Sequence, residues 1–329
     1  MPAQIVCISA NPALDRRVRL PALKLGEVNR ATGAESFGGG KAAHVAMAAQ
    51  ALGSRASWIG FLGGSPGEEC AAKLRGLGLE VIPISSESPT RLNLEILHGE
   101  NQVTEILEPG GAPGRAAMDE MTRTLIEGLR TKWKGAPVAI SGSMPAGMPG
   151  NFFASLIHAA QSAAQSADKS AVQSEQSLIF LDTSGDALRA SLNARPTLVK
   201  INRNEAGSLL NAHIATSADA LSAARQIIKL GAQSAAITLG AEGIVWLEKR
   251  AGPAWLAKRP KIKPTSTVGS GDTTLAGLII AMQRGFTGEV AIRFATACGA
   301  ANCLAPIPGA IQSKDVEVLL NEVKVTALT

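Results

Sequence analysis

Short runs of apolar residues alternate with longer amphipathic segments along most of the 329-residue chain. This alternation is typical of a layered α/β protein, in which buried strands are followed by helices that cover the sheet. The predicted core strands are residues 4–9, 56–61, 137–141, 178–181, 197–200 and 234–239. The predicted helices are residues 41–52, 67–77, 117–132, 218–230 and 273–284. We therefore expect a single α/β domain over residues 1–329, with helices on both faces of a central, mostly parallel sheet.

Two regions of the chain do not follow this pattern. Residues 16–20, and the pair 91–98 and 102–107, alternate polar and apolar side chains, as strands with one solvated face do. A turn at residues 99–101 would join the second pair. These strands predict a small separate sheet with the character of a lid over a site. An edge extension of the main sheet is the alternative.

Three segments stand apart in composition, and two of them bear on where the protein resides. The longest apolar stretch, residues 275–282, is much shorter than the ~20 residues that cross a bilayer. The N-terminal residues 1–12 lack a basic flank and predict a first strand rather than a signal peptide. Residues 159–177 are a low-complexity Ala/Gln/Ser stretch, predicted to be a solvated helix extension or a loop. We expect a soluble, cytoplasmic protein that does not bind membranes.

The charge balance and the aromatic content narrow the classes of partner. Lys and Arg number 32 against 27 Asp and Glu, so the chain has a formal net charge of +5 and suits anionic ligands. Nucleic-acid-binding surfaces need clustered basic residues with aromatics that stack on bases, but aromatics make up 3% of this chain and Tyr is absent. We therefore expect small phosphorylated ligands and no nucleic acid.

Several patterns that mark other chemistries are absent or incomplete. The four histidines are not at metal-ligand spacing, and the four cysteines form no C-x-x-C pair, so we expect reduced thiols in the core. A G-x-S-x-G pattern around Ser65 is typical of a serine hydrolase, but Pro66 has no backbone N–H for an oxyanion hole. The patterns H-R-D, D-F-G and H-E-x-x-H do not occur.

A first glycine-rich segment leads directly into a predicted helix. Gly38, Gly39 and Gly40 precede Lys41 and an alanine-rich run. Glycines let a backbone approach a ligand closely, and the free N–H groups of a first helical turn, together with a lysine, favour an anion. An ordinary glycine-rich loop is the alternative, because the spacing does not match a P-loop.

A second glycine-rich segment, Thr-Val-Gly-Ser-Gly-Asp-Thr-Thr at residues 267–274, opens another predicted helix. The backbone N–H groups around its glycines predict an anion-binding nest. Asp272 stands at the mouth of this nest. It either caps the helix or accepts a proton from a hydroxyl nucleophile while the nest holds the phosphoryl group under attack.

Two further segments follow predicted strands, where ligands bind in α/β sheets. Asn202 and Glu205 form an N-x-x-E pattern that places an amide and a carboxylate on one helix face. They either hold the water shell of a phosphate-bound Mg²⁺ or form a simple capping arrangement. Residues 235–243 are a strand that ends in a glycine-bounded turn.

Taken together and in this order, the segments GGGKAAHVA, NRNE, TLGAEG and VGSGD resemble the PfkB (ribokinase-like) family of carbohydrate kinases over nearly the whole chain. Residues 11–15, 141–149 and 182–185, with Thr90-Arg91, are similar to the branch that acts on phosphorylated ketohexoses. That branch contains 1-phosphofructokinases, tagatose-6-phosphate kinases and the minor bacterial 6-phosphofructokinases. The resemblance implies a three-layer αβα domain with a small β lid, formed from about residues 13–36 and 89–108.

The resemblance also implies a role for each motif residue. The catalytic group would be the base Asp272 and an anion hole formed by the backbone of Gly269, Ser270 and Gly271. The sugar-phosphate side would be formed by Asp15, Gly39, Gly40, Lys41, His44, Arg91 and Ser141, with Lys41 and Arg91 on phosphate charge. The nucleotide side would be formed by Lys200, Asn202, Glu205, Thr238, Gly240, Gly243 and Asn302. Within it, Asn202 and Glu205 would serve Mg²⁺ through water.

The chain departs from the branch at two places. The usual G-K-G-x-N-V-A has Ala42 for a glycine and His44 for the sugar-binding asparagine, and the usual K-P-N-x-x-E has Ile201 for proline. We expect a neutral His44 ring in the sugar pocket, because the helix N-terminus and Lys41 disfavour the imidazolium. Packing of His44 behind the loop, away from any ligand, is the alternative.

The implied reaction is ATP-dependent phosphoryl transfer to a hydroxyl of a ketohexose phosphate, with Mg²⁺ as cofactor. A monovalent cation and a homodimer formed through the lid are further expectations. A family member that phosphorylates a free sugar or a nucleoside is one alternative, and a non-catalytic sensor of sugar or nucleotide is another. No motif distinguishes fructose 1-phosphate, fructose 6-phosphate and tagatose 6-phosphate.

Overall fold

The computed structural model describes residues 4–99, 102–166 and 177–328, which form two separate β-sheets and the helices around them. The strands are β1 (Gln4–Ser9), β2 (Ala13–Leu20), β3 (Gly33–Gly39), β4 (Arg55–Leu62), β5 (Glu80–Ser85), β6 (Arg91–His98), β7 (Gln102–Leu107), β8 (Val138–Ser141), β9 (Ile179–Asp182), β10 (Leu198–Asn202), β11 (Ala235–Thr238), β12 (Ile244–Leu247), β13 (Ala254–Lys258) and β14 (Lys324–Leu328). The helices are α1 (Lys41–Ala51), α2 (Gly64–Gly76), α3 (Arg115–Arg130), α4 (Phe152–Ser166), α5 (Gly185–Leu192), α6 (Arg203–Leu210), α7 (Ser217–Lys229), α8 (Ser270–Gln283), α9 (Gly288–Asn302) and α10 (Ser313–Leu320).

The large sheet has ten strands in the order β14-β13-β12-β11-β10-β9-β8-β1-β4-β5. The strands from β11 to β5 in this order pair in parallel, and β12, β13 and β14 add an antiparallel edge. All six predicted core strands lie in this sheet, within two residues of their predicted limits. The mostly parallel sheet is therefore confirmed.

Helices cover both faces of the large sheet, because each central strand directs successive side chains to opposite sides. Val6 and Ile8 of β1 pack into one core with α3, α4, α5, α6 and α7. Ile5 and Cys7 pack into a second core with α1, α2, α8, α9 and α10. The three-layer architecture is therefore confirmed.

The small sheet has the strand order β3-β2-β6-β7 and shares no strand with the large sheet, so the edge-extension alternative is wrong. Its strand β3 was not predicted, because GAESFGG has no alternation of apolar and polar residues. Pairing with β2 makes this segment a strand. The register places Asp15 between Phe37 and Asn93, so these three residues share one face of the sheet.

The fold also bears on the expectations for the cysteines, the G-x-S-x-G pattern and membrane-spanning helices. All four cysteines are buried and free, as predicted, and burial raises the pKa of the Cys70 thiol to about 12. Pro66 lies in the first turn of α2, where a missing N–H is tolerated, and the hydrolase hypothesis gains no support. None of the described helices combines the length and apolar character that membrane crossing requires. Residues 100–101 of the predicted turn lie outside the described residues, and so do residues 167–176 of the low-complexity stretch.

Candidate active site

Two adjoining cavities lie at the carboxyl edge of the large sheet, where α8 begins. The larger cavity, about 520 Å³, lies between this edge and the small sheet. The smaller cavity, about 360 Å³, lies beside it against β11, α8 and α9. Thr238, Thr267 and Gly271 line both cavities. The start of α8 is therefore the place where ligands in the two cavities would meet.

The first turn of α8 presents backbone N–H groups at this junction. Its N-cap, Gly269, has φ 77°, and a Cβ there would come within 2.8 Å of Pro308, so the position requires glycine. Among the described residues, the amide of Gly271 has no hydrogen-bond partner. The amide of Ser270 donates to the carbonyl of Thr267 at 3.2 Å, which removes it from the predicted anion hole. The amide of Gly269 has no partner among the described residues either, but Gly271 alone of the three predicted donors lines both cavities.

Asp272 is buried in the wall of the larger cavity and does not cap α8. Its Oδ2 lies 2.8 Å from Nδ1 of His44. The capping alternative is therefore wrong, and the carboxylate is free to act on a ligand in the cavity.

His44 lies between two carboxylates rather than in a neutral sugar pocket. Its side chain lines the larger cavity, with Nδ1 bonded to Asp272 and Nε2 at 3.6 Å from Oδ2 of Asp15. Burial acts to lower the pKa of His44, but the hydrogen bonds and charges of Asp15 and Asp272 outweigh it and raise the pKa to about 10. This arrangement opposes the predicted neutral ring, and His44 lines the cavity rather than packing behind the loop. The prediction considered α1 alone, and the two carboxylates come from β2 and α8.

Asp15 is held in place by its neighbours in the small sheet. The amide of Asn93 donates to its Oδ1 at 2.8 Å. A Cβ on Gly39 would overlap the Asp15 carboxylate, so Gly39 gives this side chain its room. Gly39 itself does not line the larger cavity, whereas Gly38 and Gly40 do. The direct sugar contact expected of Gly39 stays a prediction, and the structure shows Gly39 against Asp15 instead.

A second group of charges lies at the larger cavity, where Lys41 and Lys200 line the wall and Asp182 is buried behind them. Asp182, at the end of β9, is fully buried, and Lys41 Nζ donates to its Oδ1 at 2.8 Å. Lys200 pairs with its other oxygen. Burial acts to raise the pKa of Asp182, but the charges of Lys200 and Lys41 outweigh it and lower the pKa. The buried carboxylate thus holds two ammonium groups beside the cavity.

The two lysines do not occupy quite the places that were predicted. Lys41 also donates to Glu205 at 3.2 Å, and burial of its ammonium is outweighed by the charges of Asp182 and Glu205, which raise its pKa above the usual range. It is therefore a paired cation and not a free one. A Cβ on Gly271 would come within 2.9 Å of Lys200 Nζ, so Lys200 lies directly against the first turn of α8.

Asn202 and Glu205 form a capping box at the start of α6. Oδ1 of Asn202 accepts from the amides of Asn204 and Glu205, each at 2.9 Å, and Glu205 Oε2 accepts from the amide of Asn202 at 2.8 Å. The capping alternative is therefore confirmed. Both side chains nevertheless line the larger cavity. Within the part of the chain that is described, no group of three or more His, Cys, Asp or Glu is arranged to hold a metal ion.

Arg91 reaches the larger cavity from the first residue of β6. Its two Nη atoms donate to the carbonyls of Glu108 at 2.9 Å and Asn11 at 3.2 Å. Burial lowers the pKa of the guanidinium, against the raising effect of the charges of Asp15 and Glu108. The Nε is buried and has no partner among the described residues, and each Nη atom keeps one N–H beyond these two bonds.

The smaller cavity is lined by Thr238, Gly240 and Gly243, as predicted for the nucleotide side. Two arginines that the sequence did not single out hold the turn between β11 and β12. Arg203 donates to the carbonyl of Leu239 at 2.8 Å, and Arg259 donates to that of Ala241 at 3.1 Å.

Besides Gly39, two predicted ligand-binding residues lie in neither cavity wall. Asn302 is buried, and its amide accepts from Thr273 and Gly309 and donates to the carbonyl of Val268 at 2.7 Å. It therefore braces the loop before α8 instead of facing a nucleotide. Ser141 is fully buried at the end of β8, and the next residues, Gly142 and Ser143, line the larger cavity in its place.

Some residues in the wall of the larger cavity or buried behind it were given no role from the sequence. Asp182 was noted within a motif, and its signal is a carboxylate at the carboxyl end of an apolar strand. Asn93, Glu95 and Glu105 extend the face of the small sheet that carries Asp15. Their alternation along β6 and β7 could have placed them on one face, but nothing in the sequence shows which face meets the cavity.

Known proteins of one family are similar to this chain over nearly its whole length. The sequence profile described as pfkB family carbohydrate kinase matches residues 4–314. The 1-phosphofructokinase of Vibrio cholerae is 29% identical over 329 residues, which cover 100% of this chain and 98% of that protein. The 1-phosphofructokinase of Xanthomonas campestris is 32% identical over 305 residues, with 90% of each chain covered. The solved structure of Escherichia coli phosphofructokinase-2 in complex with potassium has a TM-score of 0.85 and 26% identity, and the match covers 97% of this chain and 98% of that one.

Proposed function

The chain belongs to the pfkB family of carbohydrate kinases, and we propose that it transfers the γ-phosphoryl group of ATP to a hydroxyl group of fructose 1-phosphate. The membership confirms the predicted ribokinase-like fold and the predicted class of enzyme, an ATP-dependent carbohydrate kinase. The observation that carries the proposal is the position of Asp272, a carboxylate in the wall of the larger cavity that is one residue from the free amide of Gly271 at the junction with the smaller one.

Asp272 accepts the proton of the acceptor hydroxyl in this proposal. As the hydroxyl oxygen forms its bond to the γ-phosphorus, the bond to the bridging oxygen of ADP breaks and its electron pair stays with ADP. The hydroxyl proton goes to the Asp272 carboxylate. The Gly271 amide and the Lys200 ammonium, which lie against each other, stabilise the negative charge of the group in transfer.

The sugar phosphate binds in the larger cavity. The Arg91 guanidinium, which lines this cavity and keeps one N–H on each Nη atom, takes its phosphate, because guanidinium groups form charge-assisted hydrogen bonds with phosphate oxygens. Asp15, oriented by Asn93, accepts from sugar hydroxyls. A sensor without catalysis would need the same phosphate contacts but has no use for Asp272 at the junction.

Asn202 and Glu205 suit a magnesium ion that is held through water. The capping box and Lys41 already engage their side-chain oxygens, which excludes a direct ligand cage. Glu205 Oε1 keeps acceptor capacity at the cavity wall, where it can hold water around the ion. When bound with the nucleotide, Mg²⁺ neutralises charge on the β- and γ-phosphates.

The identity of the sugar is tested by ADP release in a coupled assay. Fructose 1-phosphate, fructose 6-phosphate, tagatose 6-phosphate, free fructose and ribose are compared at matched concentrations. We expect the highest kcat/KM with fructose 1-phosphate, and at least about 10-fold lower values with the free sugars, because a charge-assisted phosphate contact is lost. A preference for fructose 6-phosphate or tagatose 6-phosphate would contradict fructose 1-phosphate as the substrate, and a preference for free fructose or ribose would contradict a phosphorylated acceptor altogether. Absence of ADP release with every sugar would favour the sensor.

The small sheet is the lid in this proposal, and a second copy of the chain pairs with its outer face. Ile106 is 53% exposed there, next to Leu94, and Val18 pairs with Ile96 on the same face. Light scattering should give the mass of two chains for the wild type and of one chain for Ile106→Glu. A wild type that has the mass of a single chain at micromolar concentration would contradict the dimer.

A monovalent cation as a further cofactor is also part of the proposal. The potassium complex of the Escherichia coli phosphofructokinase-2 supports it. We expect turnover to fall when potassium chloride is replaced by tetramethylammonium chloride. Equal turnover in the two salts would show that the enzyme needs no potassium ion. A cytoplasmic location stays a prediction.

A further inference from the structure

The imidazole of His44 connects the two carboxylates of the larger cavity. Nδ1 lies 2.8 Å from Oδ2 of Asp272, and Nε2 lies 3.6 Å from Oδ2 of Asp15. The residue is 5% exposed. Both ring nitrogens therefore face carboxylates rather than the open cavity.

The charged groups around this ring come from four elements. They are Asp15 on β2, Glu105 on β7, Asp272 on α8 and, one turn earlier on α1, Lys41. The loop after α9 packs Gly309 against the His44 backbone and contributes no charge. The surroundings of the ring are therefore mainly anionic, which favours a ring that carries a proton on each nitrogen.

A cation in this position has two effects on the carboxylates. Two like charges in a shared, poorly solvated site disfavour each other, and a cation between them relieves that repulsion. A hydrogen bond to Oδ2 also fixes the plane of the Asp272 carboxylate. Since Asp272 lines the cavity, its remaining oxygen is the one left for a ligand.

We propose that His44 is a positioning residue, an imidazolium held between Asp15 and Asp272 that fixes the proton-accepting oxygen of Asp272. The proposal rests on the proposed function, in which Asp272 accepts the hydroxyl proton. In the transfer step that proton goes to the free oxygen of Asp272, and His44 keeps both of its own N–H protons. His44 is thus neither the base nor a direct ligand of the sugar.

A direct sugar ligand at position 44 is the competing assignment, and the two differ in the kinetic parameter they affect. A positioning residue acts on the chemical step, so its loss lowers kcat. A sugar ligand acts on binding, so its loss raises KM for the sugar phosphate and leaves kcat unchanged.

The charge on the ring is measured first, without turnover. Long-range ¹H–¹⁵N spectra of histidine-labelled enzyme are recorded from pH 6 to pH 9, and the His44 signals are assigned by their loss in His44→Asn. We expect both ring nitrogens of His44 to carry protons at pH 8 in the wild type. In Asp272→Asn, we expect the ring to lose its proton at a lower pH than in the wild type. A His44 ring that is neutral at pH 8 in the wild type would overturn the proposal.

The kinetic arm uses His44→Asn, with His44→Gln as a second variant and the exposed His158→Asn on α4 as the matched control. We expect His44→Asn to lower kcat about 10²-fold, the loss typical of a misplaced reacting group, with KM for ATP unchanged and a melting temperature that shows a folded protein. The double variant with Asp272→Asn should be no slower than Asp272→Asn alone, because His44 acts through Asp272. A raised KM for the sugar phosphate with wild-type kcat in both His44 variants would overturn the proposal.

These arms separate the proposal from the function on which it rests. Near-normal turnover of Asp272→Asn would contradict the role of Asp272 in the proposed function. The spectra would still show whether the His44 ring is charged. If Asp272 is not the base, however, His44 cannot position it, and the proposal is contradicted even if the ring is an imidazolium.

Discussion

The two walls of the larger cavity arrange buried charge in opposite ways. In the amine wall, formed by Lys41, Asp182 and Lys200, a carboxylate lies between two ammonium groups. In the carboxylate wall, formed by Asp15, His44 and Asp272, an imidazole lies between two carboxylates. Each wall satisfies its central charge from both sides, as buried ions require. The outer groups that reach the cavity are cations on one side and carboxylates on the other.

This inversion matches the two chemical tasks of the proposed reaction. Phosphate groups need cations, and an acceptor hydroxyl needs a proton acceptor. Helix α1 contributes to both walls, because Lys41 and His44 are three residues apart and lie on neighbouring positions of the helix surface. A single helix therefore fixes the spacing between the phosphate-binding and the proton-accepting sides.

Removal of the base in the carboxylate wall should have the largest effect. We expect Asp272→Asn to lower kcat by about 10²- to 10⁴-fold, the range for a positioned general base, while the Kd for ATP is unchanged. Steady-state kinetics and calorimetric titration with ATP measure the two quantities. A kcat close to that of the wild type would remove Asp272 from the mechanism.

Removal of the central carboxylate of the amine wall should mainly affect stability. Asp182→Asn leaves Lys41 and Lys200 without their shared partner, and breaking a buried ion pair costs about 3–5 kcal/mol. Urea unfolding measures the loss, with the exposed Asp186→Asn on α5 as the control. If the two variants unfold at the same urea concentration, the amine wall does not depend on Asp182.

Loss of the predicted phosphate contact should have an intermediate effect. We expect Arg91→Ala to raise KM for the sugar phosphate by about one to two decades, because a charge-assisted hydrogen bond contributes about 1.5–3 kcal/mol, and to leave KM for ATP nearly unchanged. The exposed Arg16→Ala on the neighbouring strand β2 is the control. Equal changes in the two KM values would contradict the assignment.

The smallest expected effect is the pH dependence of stability in the carboxylate wall. The pKa of His44 is raised from 6.5 to about 10, so its pairing contributes stability that is fully present below pH 6.5 and is lost as the pH rises through about 10. The difference in melting temperature between the wild type and His44→Asn should therefore shrink between pH 7 and pH 10.5. A difference that stays constant over this range would mean that the ring is not charged in the folded protein.

The sequence predicted the large sheet well because its signal is local. Each buried parallel strand is a short apolar run, so β1 could be delimited from a few residues, and α1 was delimited by the glycine-rich segment before its alanine-rich run. The strand β3 lacks such a signal, since only its pairing with β2 makes it a strand. The start of α8 was set three residues too late because Ser-Gly-Asp is a poor helix former outside the first turn.

The site was predictable in its motifs but not in its pairings. The segment from Gly269 to Asp272 lies where the motif placed it, at the junction of the cavities. The charge on His44 depends on Asp272, 228 positions away in sequence, and on Asp15 in the other sheet. The motif predicts that Asn302 binds the nucleotide, whereas in the structure its side chain is hydrogen-bonded to Val268 and Gly309 and braces the loop before α8. Contacts between residues that are distant in sequence have no local sequence pattern, so these pairings could not be predicted.

In the proposed mechanism, the larger cavity binds phosphate through cations and activates the hydroxyl through carboxylates. Single-turnover phosphoryl transfer from ATP to fructose 1-phosphate, measured over a range of sugar concentrations, separates binding from chemistry in one experiment. For Arg91→Ala we expect the half-saturating sugar concentration to rise by about one to two decades with a maximal rate near that of the wild type. For Asp272→Asn we expect the half-saturating concentration of the wild type and a maximal rate lower by about 10²-fold or more. The same parameter changed in both variants would contradict the division of labour between the two groups.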